Sequence, residues 1–269
     1  MLVEQKENNT EVIKYDSLSE FYKYICDTPF NEVFRWEKHA SVEGNKYFTQ
    51  TENFEEAVDL MKNGWTDMAK KLTQKLKVES SSDCVMTKRK TVYDVVGYQC
   101  SVPRYLQGVP TSMVRTKNVP VKQKVITLVK SIDYSASVTT EQIMEESVKA
   151  LRIIKKLEAQ GYKINLDICL GTKERDANFF VRVRIKNASE RLNISKLAFP
   201  LVHPSMLRRL MFRWIEVYPK ITKSFVDGYG RSATSTDIRS MMKQNEYLLP
   251  NLIAKDVESI KTLDDLENL

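Results

Sequence analysis

The chain of 269 residues predicts an α/β protein: a mostly parallel sheet with one antiparallel edge strand, a mainly helical N-terminal region and a helical C-terminal tail. Three observations carry that expectation. The nearly continuous apolar run Lys124–Ile132 is followed by a capped amphipathic segment and then an alternating run, which is the order of a β-α-β unit. With only 8 Gly and 8 Pro, the chain is short of the turn residues that a β-sandwich needs. Hydrophobic residues at 42% and charged residues at 29% are ordinary for a globular chain, and this length buries a core without disulfide or metal.

The N-terminal region, residues 1–78, reads as helical. Leu18, Phe21, Tyr22 and Ile25 fall at helical spacing behind Ser17 or Ser19, and the pattern stops before Pro29. Thr51 or Asn53 opens a second stripe of Phe54, Ala57, Val58 and Met61 that ends at Gly64. Trp65 restarts it, and Met68, Ala69, Leu72 and Leu76 carry it to about Lys77. Such stripes in a water-soluble domain usually face inward. Residues 79–90 are polar and aperiodic, with Lys88, Arg89 and Lys90 adjacent in them. The rest of 79–120 carries short extended runs between Gly97, Pro103, Gly108, Pro110 and Pro120, which predicts an irregular connector or an edge hairpin.

Residues 121–230 form the expected α/β domain. Thr139 and Gln142 have capping-box spacing ahead of a helix that buries Ile143, Ser147, Ala150, Leu151, Ile154 and Leu157, and Gly161 stands where that helix should end. In Lys163–Leu170, Ile164, Leu166 and Ile168 alternate with polar residues and Cys169; in Phe179–Lys186, Val181, Val183 and Ile185 alternate with Arg182, Arg184 and Lys186. The eight-residue turn between these runs is too short for a crossover helix, so they should pair antiparallel, with the second at the edge. Ser205 should cap a helix, Met206–Val217, with Arg208, Arg209 and Arg213 turned away from its apolar side. Residues 231–269 read as a helix-prone acidic tail.

Composition excludes several classes of function. The start, MLVEQKENNTEVIKY, has neither the basic nor the apolar region of a signal peptide, and no apolar run approaches a membrane span. Cys26, Cys84, Cys100 and Cys169 are scattered, and His39 and His203 are the only histidines, which disfavours zinc sites and disulfide frameworks. Together these predict a cytosolic protein with reduced thiols. No P-loop, dinucleotide fingerprint or nucleophile elbow occurs, His203 lacks an evident partner acid, and Glu145 and Glu146 read as helix-dipole partners. Charge is uneven: Lys+Arg and Asp+Glu number 17 and 17 in residues 1–120, 20 and 11 in 121–230, and 5 and 7 in 231–269. The middle segment therefore owns the positive excess, which suits either nucleic acid or an acidic partner, or simply a solvated basic face. Arg182, Arg184 and Lys186 on one strand face, with Arg208, Arg209 and Arg213 one helix away, are the candidate DNA or RNA contacts. The competing reading pairs that strand face with Asn165 and Asp167 on its neighbour.

One motif carries chemistry. Asp133-Tyr134-Ser135-Ala136-Ser137 follows the first strand of the α/β unit, where ligands of open sheets collect. Alternate oxygens from Asp133, Ser135 and Ser137 suit Mg²⁺ or another divalent cation. With the helix and hairpin that follow, this D-x-S-x-S resembles the metal-ion-dependent adhesion site of von Willebrand factor A-type domains, over about residues 120–230. That resemblance implies a non-enzymatic module that docks a protein partner at the sheet top. The family's later Thr and Asp ligands have no assignable counterpart, since Thr172 and Asp176 lie in the hairpin turn. Without them Asp133 and the serines would serve to cap the helix near Thr140. Segments such as YFTQTENFEEAVDLMKNGW and LAFPLVHPSMLRRLMFRWIE resemble a family of uncharacterised tailed-phage proteins, which implies a setting in the host cytoplasm or on the virion. Three functions compete: a phage interaction protein, a nucleic-acid binder, and a metal-dependent hydrolase or nuclease, for which paired carboxylates beyond Asp133 are missing.

Overall fold

The computed structural model describes residues 1–6, 10–34, 40–43, 46–77, 87–120, 124–173, 178–221, 229 and 231–249. The polar loop before Thr87, the turn residue Asp176 and the acidic stretch from residue 250 onward lie outside them.

The chain begins with strands where helices alone were expected. β1 (Leu2–Lys6) and β2 (Thr10–Tyr15) pair antiparallel. TEVIKY places Val12 and Ile13 on opposite faces, and both are fully buried. The helices then follow their sequence signals. α1 (Leu18–Asp27) is capped by Ser17, whose hydroxyl accepts the Glu20 N–H at 3.1 Å. After a 3-10 turn (Glu32–Phe34) come the short α2 (Ala40–Glu43) and α3 (Lys46–Thr49). α4 (Phe54–Asn63) is capped by Asn53 and ends at Gly64, whose φ of 82° disfavours other residues. α5 (Thr66–Lys77) completes the N-terminal helices.

Residues 87–120 form their own sheet rather than an irregular connector. β3 (Thr87–Asp94), β4 (Gln99–Cys100), the short α6 (Val102–Leu106) and β5 (Met113–Pro120) follow one another, and the strands lie in the order β3-β5-β4, all antiparallel. β3 and β5 are in register along their full length, from Thr87 opposite Pro120 to Asp94 opposite Met113. The prolines do not interrupt this ladder: Pro103 sits in the first turn of α6 and Pro120 at a strand end.

The β-α-β unit forms as expected from β6 (Val125–Ser131), α7 (Thr140–Ala159), β7 (Lys163–Lys173) and β8 (Asn178–Lys186). The Thr139–Gln142 capping box is present, and Gly161 follows the helix at φ 94°. β6 and β7 are parallel, and β7 and β8 antiparallel. After α8 (Ile194–Val202), a π-helical turn (Met206–Met211) leads into α9 (Phe212–Val217). Ser205 caps nothing there; its hydroxyl donates to the Thr49 carbonyl and meets the Thr51 hydroxyl at 2.8 Å. The region expected to be a helical tail supplies β9 (Arg231–Ser232), α10 (Ser235–Ser240) and β10 (Glu246–Leu248).

The main sheet runs β1-β2-β8-β7-β6-β10, with β9 on the end of β7, and three of its five pairings along that path are parallel. Two expectations are corrected here. β8 is not an edge strand, because β2 pairs parallel with it from Thr10–Asn178 to Tyr15–Val183. The sheet does not close at residue 230 either, since β10 adds to β6 on its other side.

One core joins the N-terminal helices to the sheet. Ile13, Phe21, Ala57, Leu72, Leu151, Ile168, Val183, Phe199 and Trp214 belong to it, so the N-terminal helices and the sheet share their apolar interior. A smaller cluster on the opposite sheet face holds Val12, Val129, Cys169, Phe180, Ile238, Met241 and Leu248. Neither cluster contains a buried residue from 87–120.

Candidate functional site

Asp133 stands just past β6, as its position in the sequence requires, but it faces into the protein. It is 4% exposed, on the sheet face of Val129 and Cys169, and its Oδ2 accepts the Gly171 N–H at 3.1 Å. A Cβ on Gly171 would fall 2.5 Å from the Ala233 Cβ and 2.6 Å from the Phe180 ring, so only glycine lets the segment after β9 come so close. Burial pushes the Asp133 carboxyl up to about 7, against the opposing N–H groups of Gly171 and Ala233. Ser135 and Ser137 lie apart from it on the surface, with their hydroxyls 3.2 Å from each other. Neither they nor Asp133 cap α7, which Thr139 does. Thr172 donates to the Tyr229 carbonyl at 2.8 Å.

No three His, Cys, Asp or Glu residues converge on a metal position among the described residues. The one carboxylate of the motif is buried and engaged by backbone, so this donor set does not fit a divalent ion.

The six candidate nucleic-acid contacts are engaged inside the protein. Arg182, 5% exposed, bonds Asp167 at 2.8 Å and Glu246 at 2.7 Å. Arg184 reaches Asp167 at 2.5 Å, and Lys186, 2% exposed, reaches Glu158 at 2.8 Å and the Ile164 carbonyl at 3.0 Å. The cross-strand reading therefore holds for Arg182 and Arg184, which share Asp167, with Glu246 added, whereas a β-bulge turns Lys186 to the other face, opposite Leu166, where Glu158 of α7 answers it. Arg208 spans the Phe48 and Ser135 carbonyls and lies over the Phe48 ring. Arg209 is fully buried; its guanidinium donates to the Ser41, Thr51 and Glu52 carbonyls and to the Thr49 and Thr51 hydroxyls. Arg213 lies 3.5 Å over the Phe30 ring and donates to the Ile25 carbonyl. The guanidinium groups of Arg208 and Arg209 thus tie the α2–α4 segment to the π-helical turn, which is why the helix buries its basic side.

Two residues set aside as ordinary have defined places. Glu146 does not serve the helix dipole alone: it pairs with the fully buried Lys130 at 2.6 Å. Burial works against the Lys130 charge, but Tyr134 and Glu146 outweigh it and hold its pKa above the usual lysine value. His203 packs on Phe199 and Trp65, its Nδ1 accepts the Ser205 N–H, and burial lowers it to about 4. Neutral at physiological pH, it fits the packing role expected of it.

The surface that sequence reasoning passed over is the 87–120 sheet. Seven of the thirteen large apolar side chains exposed among the described residues lie between Tyr93 and Leu106. Val96 is 72% exposed, Tyr98 68% and Leu106 78%. The signal was legible in VVGYQC and VPRYL, where apolar residues recur with neither strand nor helix period. No helix among the described residues is long and apolar enough to cross a membrane.

Fold and surface define a mixed α/β protein whose buried charges hold its layers together and whose exposed apolar groups concentrate on a separate antiparallel sheet. The chain belongs to the family described as domain of unknown function DUF7192, whose model matches residues 3–268. No curated protein and no solved structure matches it.

Proposed function

We propose that the protein is a non-enzymatic interaction protein that binds a protein partner through the tip of its 87–120 sheet. The observation that carries this is the apolar concentration at Val95, Val96, Tyr98, Val102, Tyr105 and Leu106, a surface of the kind that marks recognition sites. Arg104 is the only charge between Val95 and Val109, and it lies over the Tyr93 ring, so the tip offers a partner little that must be desolvated against its charge. The body is read as von Willebrand factor A-like, supported by the β6-α7-β7-β8 order and by β10 beside β6. The docking point moves from the sheet top to the tip, because Asp133 is sunk beneath Gly171 and Ala233. The resemblance to tailed-phage proteins supplies the setting, an infected cell or the virion.

A photo-crosslinking residue in place of Tyr105 in the full chain tests this in infected host cells. One recurrent adduct is expected, lost in the Val96→Asp/Leu106→Asp variant while its melting temperature is unchanged. An adduct with a second copy of the chain alone, or equal labelling from Lys70 on α5, would overturn the reading.

A further inference from the structure

Below the tip the same sheet changes character. Residues 87–120 hold six Lys or Arg and one acid, Asp94, whereas residues 1–86 hold 11 Lys or Arg and 16 Asp or Glu. A balanced N-terminal segment therefore conceals one strongly basic ribbon. Asp94 is already matched, with Arg115 at 3.4 Å. Arg89, Lys90 and Lys117 make no ion pair among the described residues, and all three are exposed.

Register fixes where these cations lie. Lys90 stands opposite Lys117 on one face, and Arg89 opposite Asn118 on the other, beside the exposed pair Thr91 and Thr116. Two cations directly opposite each other are mildly unfavourable in an isolated sheet, and a bound polyanion would relieve that repulsion. Arg89, Lys90 and Thr91 on β3 and Arg115 to Asn118 on β5 are exposed, and neither apolar cluster takes a residue from this ribbon.

We infer that the β3–β5 ribbon enters the major groove of duplex DNA. The ribbon is two strands wide and roughly 24 Å long for eight residues a strand, and the B-form major groove, about 12 Å across, admits such a ribbon. A ribbon in the groove turns one face to the base edges and has a phosphate wall along each strand edge, so Arg89 on the inserted face and the long Lys90 and Lys117 side chains at the rim would each have a phosphate to meet. Thr91, Thr116 and Asn118 lie beside Arg89 on one face and supply the short polar groups that would meet base edges. This is independent of the apolar tip and of its partner.

Fluorescence anisotropy with a labelled 20-base-pair duplex of mixed sequence, across about 50 to 200 mM salt, tests the assignment on the full-length protein. Binding should weaken steeply with salt. In Arg89→Gln/Lys90→Gln/Lys117→Gln the affinity at 50 mM should fall at least ~10-fold and the log–log salt slope should flatten by about 3, near 0.9 per lost cation. Lys70→Gln/Lys71→Gln on exposed α5 should bind as the wild type, and so should Val96→Asp/Leu106→Asp, which separates this result from the fate of the protein-partner reading. No binding at 50 mM, or an unaltered slope in the triple variant, would overturn the inference. Equal competition by polyglutamate would assign the ribbon to an acidic protein instead. Equal binding of duplex RNA, whose deep and narrow major groove excludes a ribbon, would dispose of groove entry.

Discussion

Asp133 and Glu246 both lie against one face of the main sheet, and their surroundings drive them in opposite directions. Burial lifts Asp133 to about 7, with only backbone N–H groups opposing. Glu246 is also raised by burial, but the hydrogen bonds and charge of Arg182 outweigh this and hold it below the ordinary carboxylate value. The linkage signs follow. Asp133, with a folded pKa above its unfolded one, stabilises the fold below about pH 4, and that contribution disappears as pH rises through about 7. Glu246 contributes above its unfolded pKa and loses that contribution as pH falls through its depressed folded value. Asp133→Asn should therefore melt several degrees higher than the wild type at pH 7.5 and alike at pH 4, the difference amounting to roughly 4 kcal/mol at most. Glu246→Gln should melt lower at pH 7.5. Melting curves at the two pH values decide it, and parallel wild-type and Asp133→Asn profiles would contradict the burial argument. The position of Asp133 was legible in the sequence; its engagement was not, because Gly171 and Ala233 come from distant segments. Strand alternation likewise put Arg182 and Arg184 on one face, but a bulge between Arg184 and Lys186 sets Lys186 opposite Leu166 on the other face, which alternation alone could not foresee. What turned that face inward is β10 and its Glu246, which follow Arg182 by 64 residues.

Among elements, β2 shows how far local pattern reaches. The helices α1, α4 and α7 could be read because each carries a cap and a stripe in neighbouring residues, and α5 because its stripe continues that of α4 past Gly64. TEVIKY is short and does not alternate, since Val12 and Ile13 are adjacent, and its neighbour β8 lies more than 160 residues away, so nothing local says that it is interior. The same non-locality explains the π-helical turn: Met206–Met211 has ordinary helical spacing, and its buried arginines are satisfied by carbonyls and hydroxyls of the α2–α4 segment. If β2 is a full member of the sheet, Ile13→Ala should cost about 2–5 kcal/mol, like Ile164→Ala in β7, since both side chains are fully buried in one core. Urea denaturation reads both values. A loss under ~1 kcal/mol for Ile13→Ala would mean that the N-terminal strand frays from β8.

At the scale of the molecule, the body and the 87–120 sheet differ in where they place charge and apolar surface. The body buries ion pairs, as Lys130–Glu146 and Arg182–Asp167 illustrate, so breaking either pair would leave a buried ion unanswered. In the 87–120 sheet the proportions invert, with its apolar groups exposed at the tip and its cations along the stem. The body's apolar clusters draw on both sides of this insertion, from α5 before it and β6 after it, without using a buried residue from it. Replacing residues 87–120 by about eight Gly and Ser residues should therefore leave the melting temperature within a few degrees of the wild type, because a longer or shorter closing loop changes chain entropy only slowly. The same variant should lose both the Tyr105-region adduct and the salt-dependent binding of duplex DNA. Calorimetry of the excised and full-length proteins makes the comparison. A body that unfolds without the insertion would show that this sheet is a structural support, and its exposed valines and tyrosines would then need an explanation other than recognition.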